Sequence, residues 1–346
     1  MQTARLPPDK NKKMIFAIKV KLNMLTNLPS FRFLPLFSLI IFPWSSLFAS
    51  NAIAGCDKSK CQLELQTFKG PLISAAVVSA VSSLQIGDNV LIQESDTDAG
   101  GIISVSGESV IGSGSQVGNI YTNKLLLKSD SKVLGNIFAN DVVHENGNPV
   151  AHAKLDETVI PDSTSIALEV PAFSATTPTI QINPFSRMTL HPGRYKNLVV
   201  NDRAELAIRT GIYFFDSVEA LNGSTISINT EAGTAYIFIL SQWNHAGKFT
   251  YTGPSSDLVI NYLGEKRVEI SGEMDANINA PNATVEIKTI GPRIVHEGTV
   301  YAKSVLINSE NTIRAARASN TGKAAQEVSA LFTASQSDQL ALGSIK

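Results

Sequence analysis

Cysteine is nearly missing from this chain, with 2 in 346 residues, Cys56 and Cys61. That is too few for a disulfide-built scaffold or a four-cysteine zinc site. Histidine is sparse too: His144, His152, His191, His245 and His296 lie far apart, and only the first two fall within eight residues. No zinc-like spacing arises, and corner or surface positions are their expected place. Serine-nucleophile, phosphate-loop and dinucleotide motifs are all lacking, so no catalytic residue and no cofactor are expected. Helical periodicity is scarce outside 72–84 and 324–342, each of which reads as a capping helix.

The first 54 residues are nearly free of acid. Arg5, Lys10, Lys12, Lys13, Lys19, Lys21 and Arg32 stand against Asp9 alone, ahead of an apolar run over 33–48. This is the order of a secretory leader. Pro35, Pro43, Ser45 and Ser46 break the run, which argues for cleavage over a spanning helix. Ala52-Ile53-Ala54 offers a cleavage site before Gly55, with a rival after Ala49, and a start at Met24 would give a leader of 31 residues. A secreted, cell-surface or periplasmic protein is therefore expected. Ile53-Ala54-Gly55-Cys56 also fits a lipobox, which would acylate Cys56 and tether the protein to a membrane. A Cys56–Cys61 disulfide is the rival reading.

Removing 1–54 takes 7 of 29 basic and 1 of 30 acidic residues and leaves 22 against 29. A body of net charge −7 without a basic cluster has no means of tracking a phosphate backbone, which excludes nucleic acid as the expected partner.

What the chain does have is repetition. Gly101, Gly118 and Gly135 stand 17 residues apart, each opening a unit with isoleucine at its third place, Ile103, Ile120 and Ile137. Short β-branched and aromatic runs between Gly, Asn, Asp and Ser suit strands joined by tight corners, one solenoid coil per unit. A glycine-x-tyrosine step recurs 18 residues apart at Gly193 and Gly211, with Gly247-Lys248-Phe249 a further 36 along. Gly298 opens a late unit of the early type. With these six glycines as structural turns, the expected organisation is a signal peptide over 1–54 and an N-terminal segment with the cysteine pair and a cap over 55–85. Solenoid repeats follow over 86–152, then a proline-rich crossover over 153–186 that favours loop over strand, a second solenoid region over 187–317 and a tail or capping helix over 318–346.

Two candidate sites can be named. Glu94, Asp96 and Asp98 alternate along the chain, so an extended strand would project their carboxylates together as calcium-type oxygen donors. The spacing departs from the EF-hand, and a solvated turn is the plainer reading. Trp243, with Tyr236, Phe249, Tyr251 and Tyr262, would make a sugar platform if exposed, although strand aromatics usually serve as core rungs. Polysaccharide-active β-helices work with paired acids on one face, and stacked coils can bring a histidine to Asp216 or Glu297.

The glycine-anchored units of 101–151 resemble bactofilin-like polymer-forming repeats. HPGRY, TGIYFF, INAPNATVEI and EGTVYAKSVLIN, within 188–315, resemble the secreted β-helix domains of choice-of-anchor A surface proteins. The glycine-x-tyrosine turns and the GTVYAKS unit are also similar to bacterial ice-binding β-helices. These resemblances imply an all-β fold, a right-handed parallel β-helix (solenoid), here with short capping helices. The function they imply is an exported, non-enzymatic structural or adhesive element of the bacterial surface or matrix, whose partners are its own copies or surface glycans. A polysaccharide-binding or polysaccharide-active protein is the alternative, and an ice-binding protein the second alternative.

Overall fold

A computed structural model of the protein describes residues 47–50, 60–69, 76–94, 101–147, 150–151, 153–155, 162–171, 173–288 and 294–315, the strands 47–50, 60–69 and 162–171 by backbone alone. Most of residues 1–54, Cys56, Asp96, Asp98, His152 and the segment 318–346 lie outside the described residues.

The described body is all-β, a solenoid of stacked parallel strands whose one helical piece is the turn Ser255–Asp257. Its rungs follow from alternation. In Ile120–Leu127, Ile120, Thr122, Leu125 and Leu127 are buried, whereas Asn123 and Lys124 are exposed where the rung bends between two walls. Thr122, the polar residue among the inward ones, donates to the Gly107 carbonyl (3.0 Å) and accepts from Ser109 Oγ (3.0 Å). Ile103, Ile120 and Ile137 lie directly over one another, so the 17-residue sequence repeat is the coil itself. A one-residue slip would turn this isoleucine column to solvent.

The stack does not follow chain order. One twelve-stranded sheet runs Ile180–Ile182, Gly193–Val200, Gly211–Ala220, Ala235–His245, Leu258–Tyr262, Asn277–Ile287 and Val300–Ile307, with Val268–Ile270 beside this path. It then continues into Ala76–Ile86, Ile102–Ile111, Ile120–Leu127 and Ile137–His144. The early coils thus sit on the late ones, with Val300 opposite Val78, Val305 opposite Leu84 and Ile307 opposite Ile86. Between Leu155 and Ile180 the chain must return the full height of the stack, about 48 Å at ~4.8 Å per step. It does so with an extended piece: Asp162–Pro171 pairs antiparallel with Lys60–Lys69, whose other edge takes Leu47–Ser50.

Three sequence expectations change. The stretch 72–84 is not a cap: Ala76–Ile86 is a central strand. Its first five residues are all buried, so an apolar run covered on both faces imitated a buried helix. The 18-residue interval is not the coil length, because Gly193 pairs with Tyr213 and Tyr195 with Phe215. Gly247-Lys248-Phe249 belongs to a different wall, where Lys248–Thr252 pairs with Thr225–Asn229. Finally, the proline-rich segment carries a ten-residue strand, with proline admitted at its last residue, Pro171.

The remaining wall is built in two runs. Arg187–Thr189, Glu205–Arg209, Thr225–Asn229 and Lys248–Thr252 form one sheet. Val295–Glu297, Thr312–Arg314, Leu91–Gln93, Gln116–Val117 and Lys132–Val133 form the other. Residues 271–276 lie between them and form no strand. The strands of this wall nearest that level have five residues on one side and three on the other, so the wall breaks there.

Candidate functional site

The step in this wall gathers several strongly perturbed ionisable groups. His245 ends the rung Ala235–His245 at an inward position, directly above Ala220 and next to Ile270 in an otherwise apolar column. Its ring stacks on Phe249 (4.6 Å between centroids), and Nε2 lies 3.1 Å from the Glu273 carbonyl. Burial, reinforced by the nearby His296, lowers its pKa to about 4 and keeps it neutral. His296 is the inward residue of Val295–Glu297 and is buried as deeply, with its pKa also lowered to about 4 by burial. Neither of its ring nitrogens makes a hydrogen bond of normal geometry; the nearest polar groups are the Asn311 side chain and the Met274 backbone.

Acids sit on the outer side of the same step. Asp275 Oδ1 accepts the Glu297 backbone N–H (3.0 Å). Burial, then the charges of Glu297 and Glu273, push the Asp275 carboxyl up to about 6. Glu297 pairs with Arg314 (3.5 Å). The Tyr251 hydroxyl is buried without a hydrogen-bond partner, and burial together with the carboxylates of Asp275 and Glu297 raises its pKa well above the usual value. Chemically the arrangement is a carboxyl that exchanges its proton in mildly acid solution beside two histidines that do not. No group of three metal-ligating side chains is present among the described residues.

The residues singled out in sequence are scattered. Glu94 is half-buried just beyond Leu91–Gln93, and its partners Asp96 and Asp98 fall outside the described residues, as does Cys56; Cys61 lies opposite Val170. Gly211 and Gly298 hold φ of 136° and 152°. Gly101 and Gly135 instead permit close approach: a Cβ there would sit 2.6 Å from Val77 Cγ2 and 2.3 Å from Asn119 Oδ1. Gly193 holds φ 156°, and Gly118 donates its N–H to the Gly101 carbonyl (3.1 Å). Trp243, Phe249 and Tyr262 are core residues, which leaves no exposed platform among those three. His191 is exposed and His144 half-exposed at one end of the stack, and Asp216 is far in sequence from the histidine pair that does form.

Sequence reasoning paired a histidine with Glu297, yet strand alternation points His296 inward and Glu297 outward. The His245–His296 neighbourhood depends on the short level at 271–276, which no spacing announces. A second feature was readable but unread. Arg267 and Lys288 both pair with the buried Glu286, and Lys288 also pairs with Glu269 (2.8 Å), a ladder foreshadowed by the alternation Arg267-x-Glu269 and Glu286-x-Lys288.

Small outward residues also stack: Thr189, Ala207, Ser227 and Thr250 are in register, with Thr250 Oγ1 donating to Ser227 Oγ (3.0 Å). The adjacent row is Arg187, Glu205, Thr225 and Lys248, so charge borders the small residues on three of these four rungs.

No family model matches the chain, and no curated protein matches it. Among solved structures, an ice-binding protein from an Antarctic biological consortium is similar at 14% identity and a TM-score of 0.32, over 70% of this chain and 88% of that one.

Proposed function

We propose that the protein is an exported, non-enzymatic β-solenoid that serves as a structural or adhesive element of the bacterial surface or matrix. The observation that carries this reading is the single twelve-stranded parallel sheet with its continuous apolar core, a rigid body whose outward rows are fixed rung by rung. Ser217 to Asn197, Ser83 to Ser304 and Asn140 to Asn123 each bond across coils at 3.0 Å, and they hold polar surface groups in register as contact sites. Export rests on the basic segment and the apolar run of residues 1–54. Sedimentation of the purified protein over a concentration series, joined to pull-down on whole cells, matrix and immobilised glycans, tests it. Association or surface capture is expected; a strict monomer that binds none of these surfaces would defeat the reading.

A polysaccharide-binding or polysaccharide-active role is the second reading, favoured by the meeting of Asp275, Glu273 and Glu297 on one side of the stack. It requires glycan binding or cleavage that Asp275→Asn and Glu297→Gln reduce at least tenfold. Unchanged binding in both variants removes the acids from consideration. Ice binding, the second alternative, calls for thermal hysteresis from the row Thr189 to Thr250, and Thr250→Lys should then abolish it.

A further inference from the structure

The two ends of the stack differ from its sides. Six large apolar side chains are exposed among the described residues, and four of them lie at the ends: Phe185 (76%) and Met188 (36%) at one, Leu134 (53%) and Val143 (44%) at the other. Among the described residues, each end also presents a strand edge of the same sheet that no further strand covers. At the first end, Ile180–Ile182 pairs with Leu198–Val200 on one side and with no described strand on the other. At the second, Ala153 bridges Phe138 beside the first half of the last rung; no described strand pairs with Asp141–His144 on the outer side, where the His144 carbonyl accepts the Gly147 N–H of its own turn (2.8 Å). A three-residue strand faces outward at one end and a four-residue half-rung at the other.

These edges belong to one wall. The column of inward residues that begins at Ile182 and Val200 ends at Leu127 and His144, and the strands all run parallel. Seating Ile180–Ile182 of one copy on Asp141–His144 of another would therefore add one more rung in the existing direction, with Ile182 beside His144 and Ile180 beside Val142. The molecule already contains such a junction. Ala76–Ile86 seats on Val300–Ile307 with no covalent continuity between the coils, sealed by the Gly87 N–H to the Ile307 carbonyl (2.7 Å) and by the Leu91 N–H to the Asn311 carbonyl (3.0 Å).

Resting on the structural reading above, we infer that a second copy of this chain is the partner of both ends, docked head to tail through Ile180–Ile182 with Phe185 and Met188 on one copy and Asp141–His144 with Leu134 on the next. The contact is heterologous. Each copy keeps one end free, so the assembly extends as a rod and does not close as a dimer.

The test uses the purified full chain and two surface double variants, Phe185→Asp with Met188→Lys and Leu134→Asp with Val143→Lys. Sedimentation velocity of the wild type should show a sedimentation coefficient that rises with concentration, and electron microscopy should show rods longer than one molecule. Either variant alone should stay monomeric, because each lacks one half of the contact. Their equimolar mixture should give a 1:1 dimer that grows no further. Circular dichroism checks the fold, and the milder Phe185→Ser and Val143→Thr replace any variant that loses its β signal.

Wild type and variants that associate alike, or a mixture that stays monomeric, would overturn the head-to-tail contact. Association indifferent to the end variants leaves the structural reading standing without this contact. A wild-type monomer that still binds cells or glycans has the same effect. A monomer that binds nothing removes both.

Discussion

His245 and His296 are the residues where apolar burial and ionisation conflict most sharply. Their folded pKa values, lowered from 6.5 to about 4, mean that the unfolded chain takes up two protons that the folded chain refuses between those values. Stability therefore falls as pH drops from 6.5 to 4, by roughly 3 kcal/mol per histidine. Asp275 works in the opposite sense. Its pKa, raised from 3.8 to about 6, makes the folded state the better proton acceptor, so its contribution grows as pH falls through that window. Partial exposure limits it to about 1–2 kcal/mol. The histidines win. Urea unfolding should show a net loss of several kcal/mol between pH 7 and 4, Asp275→Asn should stabilise the protein at pH 7, and a flat profile would contradict the burial of the two rings. None of this was legible in sequence, where the two histidines are isolated from each other. The isoleucines were legible, because Ile103, Ile120 and Ile137 recur at the period of the coil and occupy one column.

Individual coils are legible when their length is constant and illegible where it changes. The interval of 17 residues holds over Ile103, Ile120 and Ile137, whereas Gly193 to Tyr213, Gly211 to Ala235 and Ile260 to Ile278 span 20, 24 and 18. Coils that share a five-residue second-wall strand still differ, Glu205–Arg209 lying in the interval of 20 and Thr225–Asn229 in that of 24, so the corners between walls set the period as well and no fixed repeat survives. Glycines mark where coils come closest. A Cβ on Gly272 would sit 1.7 Å from the Gly247 carbonyl oxygen and one on Gly107 1.8 Å from that of Ser82, backbone atoms that cannot swing aside. Gly272→Ala and Gly107→Ala should each cost about 2–4 kcal/mol by forcing neighbouring rungs apart. Gly147, at φ 72° with no atom within 4 Å, supplies the control: its alanine variant incurs only left-handed strain of about 1 kcal/mol. Equal losses at Gly147 and Gly272 in denaturant titrations would show that close approach is not what the glycines provide. In the core, Ile120→Ala should cost about 3 kcal/mol.

At the scale of the whole molecule, the early coils were readable and so were the late ones, but not their order. Parallel pairing between Ala76–Ile86 and Val300–Ile307 joins strands more than two hundred residues apart, and hydrophobic pattern alone cannot say which coil follows which. The sheet is completed only when the chain has reached Arg314 and that late coil has accepted Leu91–Gln93. Such a junction closes late, since the entropy of the long loop must be met before the contacts form. Ser83 and Ser304 face each other across it with their oxygens 3.0 Å apart at the surface, which places them within reach of a disulfide. The double variant Ser83→Cys with Ser304→Cys should therefore oxidise within one chain. Peptide mapping should recover a crosslink between the two substituted positions, and the oxidised form should unfold more slowly than the reduced one, because the crosslink holds the junction that would otherwise separate first. Recovery of that crosslink only between different chains would mean that the early coils seat on another copy, and failure to form it at all would mean that the two segments are not neighbours.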